Sequence, residues 1–241
     1  MDPLDFTGRA VVVTGGTRGI GAAIAHAFRA AGADVLVCGR SPSDVPGFMR
    51  ADVRDPEQAA ALIGAAVDRF GRLDVLVNNA GGSPQVPAGE ASPRLHAKVI
   101  ELNLIAPLHV SQAAYPVMRD QPEGGSILMV GSVSGTRPSP GTAAYGAAKA
   151  GLHHLATTLA VEWAPLVRVN SLIVGPLDPR LAAGVVPLGR PAVPGDVAGA
   201  CLLLCSPLAG YVSGAALAVH GGGEWPAYLA EFRGAAYPPQ K

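Results

Sequence analysis

Short apolar runs alternate with longer amphipathic stretches along most of the chain. The run Ala10-Val11-Val12-Val13 meets a glycine cluster and then a helical pattern in which Ile20, Ala23, Ile24, Ala27 and Phe28 share one face. A second run, Val35 to Cys38, closes at Gly39-Arg40, and only a short stretch with Pro and Ser separates it from a further strand at Asp52-Val53. Any helix between those strands is small or absent. Beyond them the pattern predicts a helix from about Asp55 to Phe70, a strand over Leu73 to Val77, a helix ending near Ala114 and a strand over Ser126 to Val130. A helix from about Ala143 to Trp163 and a strand over Val167 to Val174 follow. Strands apolar on both faces, alternating with helices, indicate a parallel sheet covered on two sides. The expected fold class is α/β, a doubly wound parallel sheet, and the absence of repeats or a linker points to one domain over residues 1–241.

Composition narrows the classes of function. The 241 residues carry 18 Lys+Arg against 18 Asp+Glu, and only 15% are charged; a nucleic-acid binder needs a surplus of cations to replace phosphate counterions. With 49% hydrophobic residues, 31 Gly and 22 Pro, the chain is too apolar for disorder. Its apolar stretches fall far short of the ~18 residues of a membrane span. The acidic start, Met1-Asp2-Pro3-Leu4-Asp5, lacks a secretory pattern, so a cytoplasmic location is expected. Cysteines at 38, 201 and 205 do not make a disulfide framework, and Cys201 and Cys205, on one helical face, read as core residues. Histidines 26, 96, 109, 153 and 154 show no metal-ligand spacing, so no metal is expected and they read as structural.

Three constellations carry chemistry. The first is Thr14-Gly15-Gly16-Thr17-Arg18-Gly19-Ile20-Gly21, where the first strand turns into the first helix. Such a glycine loop allows tight turning and close backbone approach, and the helix N-terminus offers unpaired N–H groups and positive potential to a pyrophosphate. The second is an absence: a protein selecting NAD places an acidic residue ~20 positions past the glycines, whereas this chain has Arg40 and no Asp or Glu from 38 to 43. Arg18 and Arg40 could then pair with a 2′-phosphate, which favours NADP(H) and keeps NAD(H) as the alternative. The third is Ser132, Tyr145 and Lys149. Tyr and Lys at i and i+4 lie on one helix face, and a cation there would lower the phenol pKa and ready it for proton exchange with a substrate oxygen.

From Phe6 to about Gly223 the sequence resembles the short-chain dehydrogenases/reductases, in the subgroup that includes 3-oxoacyl-carrier-protein reductases. Thr14 to Gly21, Asp52-Val53, Asn78-Asn79-Ala80-Gly81, Asn103, Ser132, Tyr145 and Lys149 stand in the family's order. The resemblance implies a Rossmann-type sheet and hydride transfer between a nicotinamide and a ketone or secondary alcohol. It makes Tyr145 the general acid/base, Ser132 the residue orienting the substrate oxygen, and Lys149 the partner of the nicotinamide ribose that also lowers the Tyr145 pKa. Asn103 would support a water-linked proton relay. Gly15, Thr17, Arg18, Gly19, Ile20, Arg40, Asp52, Val53 and the Asn79-Ala80-Gly81 backbone would hold the cofactor, with Asp52 and Val53 at the adenine. Gly82, Ser83, Val133, Ser134, Arg137, Leu177 and Leu181 are implied walls of the substrate pocket, mostly small or apolar, suiting a 3-oxoacyl thioester or an alicyclic or steroid-like ketone. A homotetramer, or a homodimer, is expected on the same ground.

Departures from the family pattern are local. Val174 replaces a Pro before Gly175, and Pro179 stands where a Thr would contact the carboxamide, so nicotinamide anchoring falls to backbone groups from Gly175 to Leu177. The stretch from there to Arg190 is short, implying a small lid and an open pocket, and His220-Gly221-Gly222 replaces Asp-Gly-Gly. Residues 224–241 extend beyond the usual end, with Trp225, Tyr228, Leu229 and Phe232 at helix-like spacing for packing or a subunit contact. Two readings compete: an NAD-dependent dehydrogenase working oxidatively, against which Arg40 argues, and a non-catalytic cofactor-binding scaffold, against which the intact Ser132, Tyr145 and Lys149 argue.

Overall fold

Seven parallel strands form one sheet in the order β3-β2-β1-β4-β5-β6-β7 in a computed structural model that describes residues 2–178, 180 and 185–224. The strands are β1 (Ala10–Thr14), β2 (Asp34–Gly39), β3 (Phe48–Arg50), β4 (Val75–Asn78), β5 (Gly125–Val130), β6 (Val167–Val174) and β7 (Ala216–Val219). The helices are α1 (Gly19–Ala30), α2 (Pro56–Phe70), α3 (Pro93–Ile100), α4 (Ala106–Arg119), α5 (Ala143–Glu162) and α6 (Pro194–Cys205). A π-helical turn, Glu101–Ile105, joins α3 to α4.

Alternation along β1 explains the layers. Val12 points to one face, into a core with Leu62 of α2, Val110 of α4 and Leu152 of α5. Val11 and Val13 point to the other, into a core with Ile24 and Phe28 of α1 and Val197 and Cys201 of α6. Both faces of the sheet are thus apolar and covered, the physical reason the strands read as unbroken apolar runs. Because β1 pairs with both β2 and β4, the strand order reverses there, and a crevice opens outside the carboxyl ends of the strands, where α/β sheets of this kind bind ligands.

Some expectations shift. The strand after β2 is Phe48–Arg50, with Asp52-Val53 just past its end, because the ladder with β2 runs out at the Gly39 and Arg50 pair. The helix expected to end near Ala114 runs on through Pro116 to Arg119, its last turn tolerating the proline beside the surface. Strand β7 is short and half-exposed and leaves little apolar signal in the sequence.

The start of α2 shows how local chemistry sets a boundary. The Asp55 carboxylate accepts from the Glu57 N–H at 2.9 Å and the Gln58 N–H at 3.4 Å, with Pro56 in the first turn. Replacing Asp55 by Ala is expected to cost about 1 kcal/mol, read as a melting point lower by roughly 2–4 °C. An unchanged melting curve would remove the cap from the account.

Candidate active site

The crevice is a cleft of about 760 Å³, within the ~300–1,000 Å³ typical of small-molecule sites. Residues after six of the strands line it. After β1 come Gly15, Thr17, Arg18, Gly19 and Ile20; at the end of β2, Arg40; past β3, Asp52 and Val53; after β4, Asn79, Ala80 and Gly81; after β6, Gly175 and Leu177. Ser132, at the end of β5, and Tyr145 and Lys149 of α5 open into the same space. Cys38, Ser41 and Ser43 line it too and were not anticipated; the hydroxyls directly after Arg40 were a readable signal.

The glycine loop is shaped by close packing. A Cβ on Gly21 would collide with the Gly15 carbonyl oxygen and Asn79 Nδ2, so only glycine lets the first turn of α1 sit against the β1 and β4 ends. Gly19, at φ +55° in the left-handed region, has nothing near its missing Cβ and leaves the floor of the cleft open. Asn79 ties the seam, its Nδ2 donating to the Thr14 and Gly15 carbonyls at 2.9 and 3.1 Å, while Thr14 Oγ1 accepts from the Asn79 and Ala80 N–H groups.

These features suit a dinucleotide. No side chain caps the start of α1, so its first-turn N–H groups face the cleft with positive potential for a pyrophosphate. Arg18 and Arg40 are exposed, and among the described residues neither is ion-paired. Asp52 is less free than expected. Arg54 grips its carboxylate with Nε at 2.9 and 3.2 Å, and that pairing, against the opposing cost of burial and with help from Arg40, holds its pKa below the usual carboxylate value.

Lys149 is buried, and its Nζ donates to the Val130 carbonyl at 2.8 Å. Burial pulls its pKa down to about 8. Nζ lies 5.6 Å from the centre of the Tyr145 ring. The expectation that Lys149 lowers the Tyr145 pKa is not what the structure shows: burial pushes the phenol above its ordinary value, and the Ser132 hydroxyl pulls it back in part. The reason is shared desolvation, which penalises both the ammonium and the phenolate. Ser132 begins a short 3₁₀ turn, Val133–Gly135, and its Oγ accepts from the Ser134 N–H at 3.2 Å.

Other expected residues fall elsewhere. Asn103 is buried in the π-helical turn behind the cleft wall, its Nδ2 donating to the Gly82 and Val99 carbonyls and its Oδ1 accepting from the Gly82 N–H, all at 2.9 Å. That clamp on Gly82 uses both amide hydrogens, and a Cβ on Gly81 would lie 2.7 Å from Asn103 Oδ1 and 3.3 Å from Lys149 Nζ, so Asn103 stands close behind the Lys149 end of the cleft. The Ser134 hydroxyl is taken up by a chain through Ser139 to Thr142 at 3.0 and 2.7 Å, away from the cleft lining. Arg137 pairs with Glu224. Leu181, Pro179 and the tail side chains Trp225, Tyr228, Leu229 and Phe232 lie outside the described residues. At the β6 end, Val174 lines the cleft and Gly175 packs on His220, where a Cβ would lie 2.8 Å from the His220 Cα.

Comparison with known proteins decides the family. A family model described as enoyl-(acyl carrier protein) reductase matches residues 15–224, which takes in every strand but β1 and all the residues named at the cleft. An uncharacterized oxidoreductase of Mycobacterium tuberculosis is 34% identical, with 94% of this chain and 96% of that protein covered. The chain belongs to the short-chain dehydrogenase/reductase family. It is therefore an oxidoreductase, of a family that binds a nicotinamide dinucleotide. Two further relatives are the trans-4-hydroxycyclohexanecarboxylate dehydrogenase of Sinomonas cyclohexanicum, 34% identical over 89% of this chain and 92% of that protein, and 3beta-hydroxysteroid dehydrogenase 1 of Eggerthella lenta, 34% identical over 90% and 94%. This short-chain dehydrogenase/reductase has no helix among its described residues long and apolar enough to cross a membrane.

Proposed function

We propose that this protein is an NADP(H)-dependent oxidoreductase interconverting an alicyclic secondary alcohol and its ketone. The observation that carries the reading is the convergence of Ser132, Tyr145 and Lys149 on the same cleft as the glycine loop and the two unpaired arginines. Bound there, the nicotinamide supplies or accepts the hydride. Tyr145 Oη gives a proton to the carbonyl oxygen as it becomes an alcohol, and takes it back in the reverse direction. Ser132 Oγ, fixed by the Ser134 N–H, donates a hydrogen bond to the same oxygen and orients it. Lys149, anchored on the Val130 carbonyl, has ammonium hydrogens left for a ribose hydroxyl and places positive charge beside the phenol. Arg18 and Arg40 would hold the 2′-phosphate and Asp52 the adenine.

The substrate class is supported by relatives whose names specify ring alcohols, a hydroxycyclohexanecarboxylate and a hydroxysteroid; a 3-oxoacyl thioester is the second candidate. Exposed apolar side chains such as Val161 of α5 suit a homotetramer, and three free cysteines suit a cytoplasmic location.

Titrating the protein with NADPH and with NADH, followed by nicotinamide fluorescence, tests the cofactor. NADPH is expected to bind tighter, and Arg40→Ala to weaken NADPH roughly 10- to 100-fold, the scale of one or two charge-assisted hydrogen bonds, while leaving NADH unchanged. Tighter binding of NADH by the wild type would overturn the assignment.

A further inference from the structure

His153 follows Lys149 by one turn of α5 and Tyr145 by two, so the three side chains share a face. The sequence alone marks it as a structural histidine. In the fold, its ring bridges the ends of two strands: Nε2 lies 3.4 Å from the Ser132 carbonyl oxygen after β5, and Nδ1 lies 3.0 Å from Oγ of Ser171 in β6. The ring is pressed against the backbone before Ser132, since a Cβ on Gly131 would collide with its Cε1.

The hydrogen-bond roles follow from chemistry. A carbonyl oxygen only accepts, so Nε2 carries a hydrogen and donates to Ser132. In the neutral ring Nδ1 is then the acceptor, and the buried Ser171 hydroxyl donates to it. Burial outweighs the Ser132 hydrogen bond and, with a smaller contribution from the charge of Lys149, keeps the ring's pKa below the ordinary histidine value, in keeping with that neutral form. Among the described residues, Lys149, on the same helix, is the charged group that acts on the ring, and the hydrogen-bonding groups that meet it from the ends of β5 and from β6 are the Ser132 carbonyl and the Ser171 hydroxyl.

Ser132 is thereby held on both sides. Its carbonyl accepts from the Gly135 N–H at 2.9 Å and from His153, and its Oγ accepts from the Ser134 N–H. We propose that His153, oriented by Ser171, is a positioning residue that fixes the Ser132 hydroxyl toward Tyr145 and the substrate oxygen. The proposal rests on the reading of Ser132 as the group that orients that oxygen. Small displacements of such groups are costly, on the order of 100-fold for 1 Å.

A double-mutant cycle tests it, with NADPH-driven reduction of 4-oxocyclohexanecarboxylate as the probe reaction. His153→Leu is expected to lower kcat on the order of 10-fold or more with NADPH binding unchanged, and His153→Gln, whose amide nitrogen reaches toward the same carbonyl, to recover most of it. In a Ser132→Ala background His153→Leu should cost less than about 2-fold, because residues acting through one another are not additive. The same cycle is read without substrate as the titration midpoint of the Tyr145 phenol, obtained by difference from Tyr145→Phe. Around that phenol stand Lys149 on α5 and the Ser132 hydroxyl. Loss of His153 should raise the midpoint when Ser132 is present and leave it unmoved when Ser132 is Ala. Equal effects of His153→Leu in both backgrounds would overturn the proposal, as would a Gln variant no better than Leu. A Ser132→Ala protein that keeps full kcat would instead overturn the reading of Ser132 on which the proposal stands. Ser171→Ala, the mildest change, gives a weaker loss of the same pattern should His153→Leu fail to fold.

Discussion

Tyr145→Phe is expected to bind NADPH as the wild type does and to lose about 1,000-fold in kcat, within the ~10²–10⁴ that a positioned acid or base contributes. The substitution removes one oxygen from a half-buried ring and leaves the cleft's glycine loop, arginines and lysine untouched. Binding and chemistry should therefore separate cleanly. Stopped-flow absorbance of the nicotinamide, beside the fluorescence titration, reads both. Because burial raises the Tyr145 pKa, the phenol stays protonated through the neutral range in the free protein, the form that donates during ketone reduction. A Phe variant with kcat within about 3-fold of wild type would show that the proton comes from elsewhere, since a lost general acid costs at least ~100-fold.

The second large effect concerns stability. Lys149 ionises at 10.5 ordinarily and at about 8 in the fold, so between those values the unfolded chain binds more protons than the folded one and stability rises with pH. The penalty for burying the ammonium is fully present below pH 8 and fades as pH climbs toward 10.5. From pH 7 to pH 10 the wild type should regain roughly 2–3 kcal/mol relative to Lys149→Met, a difference of several degrees in melting temperature. Above pH 10 the raised Tyr145 pKa acts in the opposite sense, its retained proton making stability fall as pH rises, which closes the window. Thermal melts of both proteins across pH 7–10 measure the effect, and parallel curves would mean that Lys149 is not desolvated as described. Activity should be lost in the variant throughout, an instance of a functional site held at a cost to the fold.

Much of this molecule was legible from spacing. The strand, glycine loop and helix around Thr14 to Gly21 and the i, i+4 pair Tyr145 and Lys149 are local patterns, and local patterns survive folding. Contacts that depend on which loops meet were not legible. His153 carried the right period, but its partners Ser132 and Ser171 come from two strands, and nothing in the helix sequence announces them. Ser134 and Asn103 were placed by resemblance near the substrate and the relay; their hydrogen bonds to Ser139 and to Gly82 join segments far apart in sequence or fixed by a loop's shape, and spacing does not announce them. The direction of the Tyr145 shift was missed for a related reason: a charge four residues on in the sequence is easy to see, whereas burial is a property of everything packed around the ring.

Supplying the protein with equal amounts of NADPH and of NADH deuterated at the transferable position, together with 4-oxocyclohexanecarboxylate and a steroid ketone, puts cofactor and chemistry into one measurement. Mass spectrometry of the alcohol formed reports which cofactor gave the hydride. The account predicts alcohol without deuterium. Deuterated alcohol would contradict the role given to Arg18 and Arg40, and the absence of any alcohol product would contradict the ring-ketone reading itself.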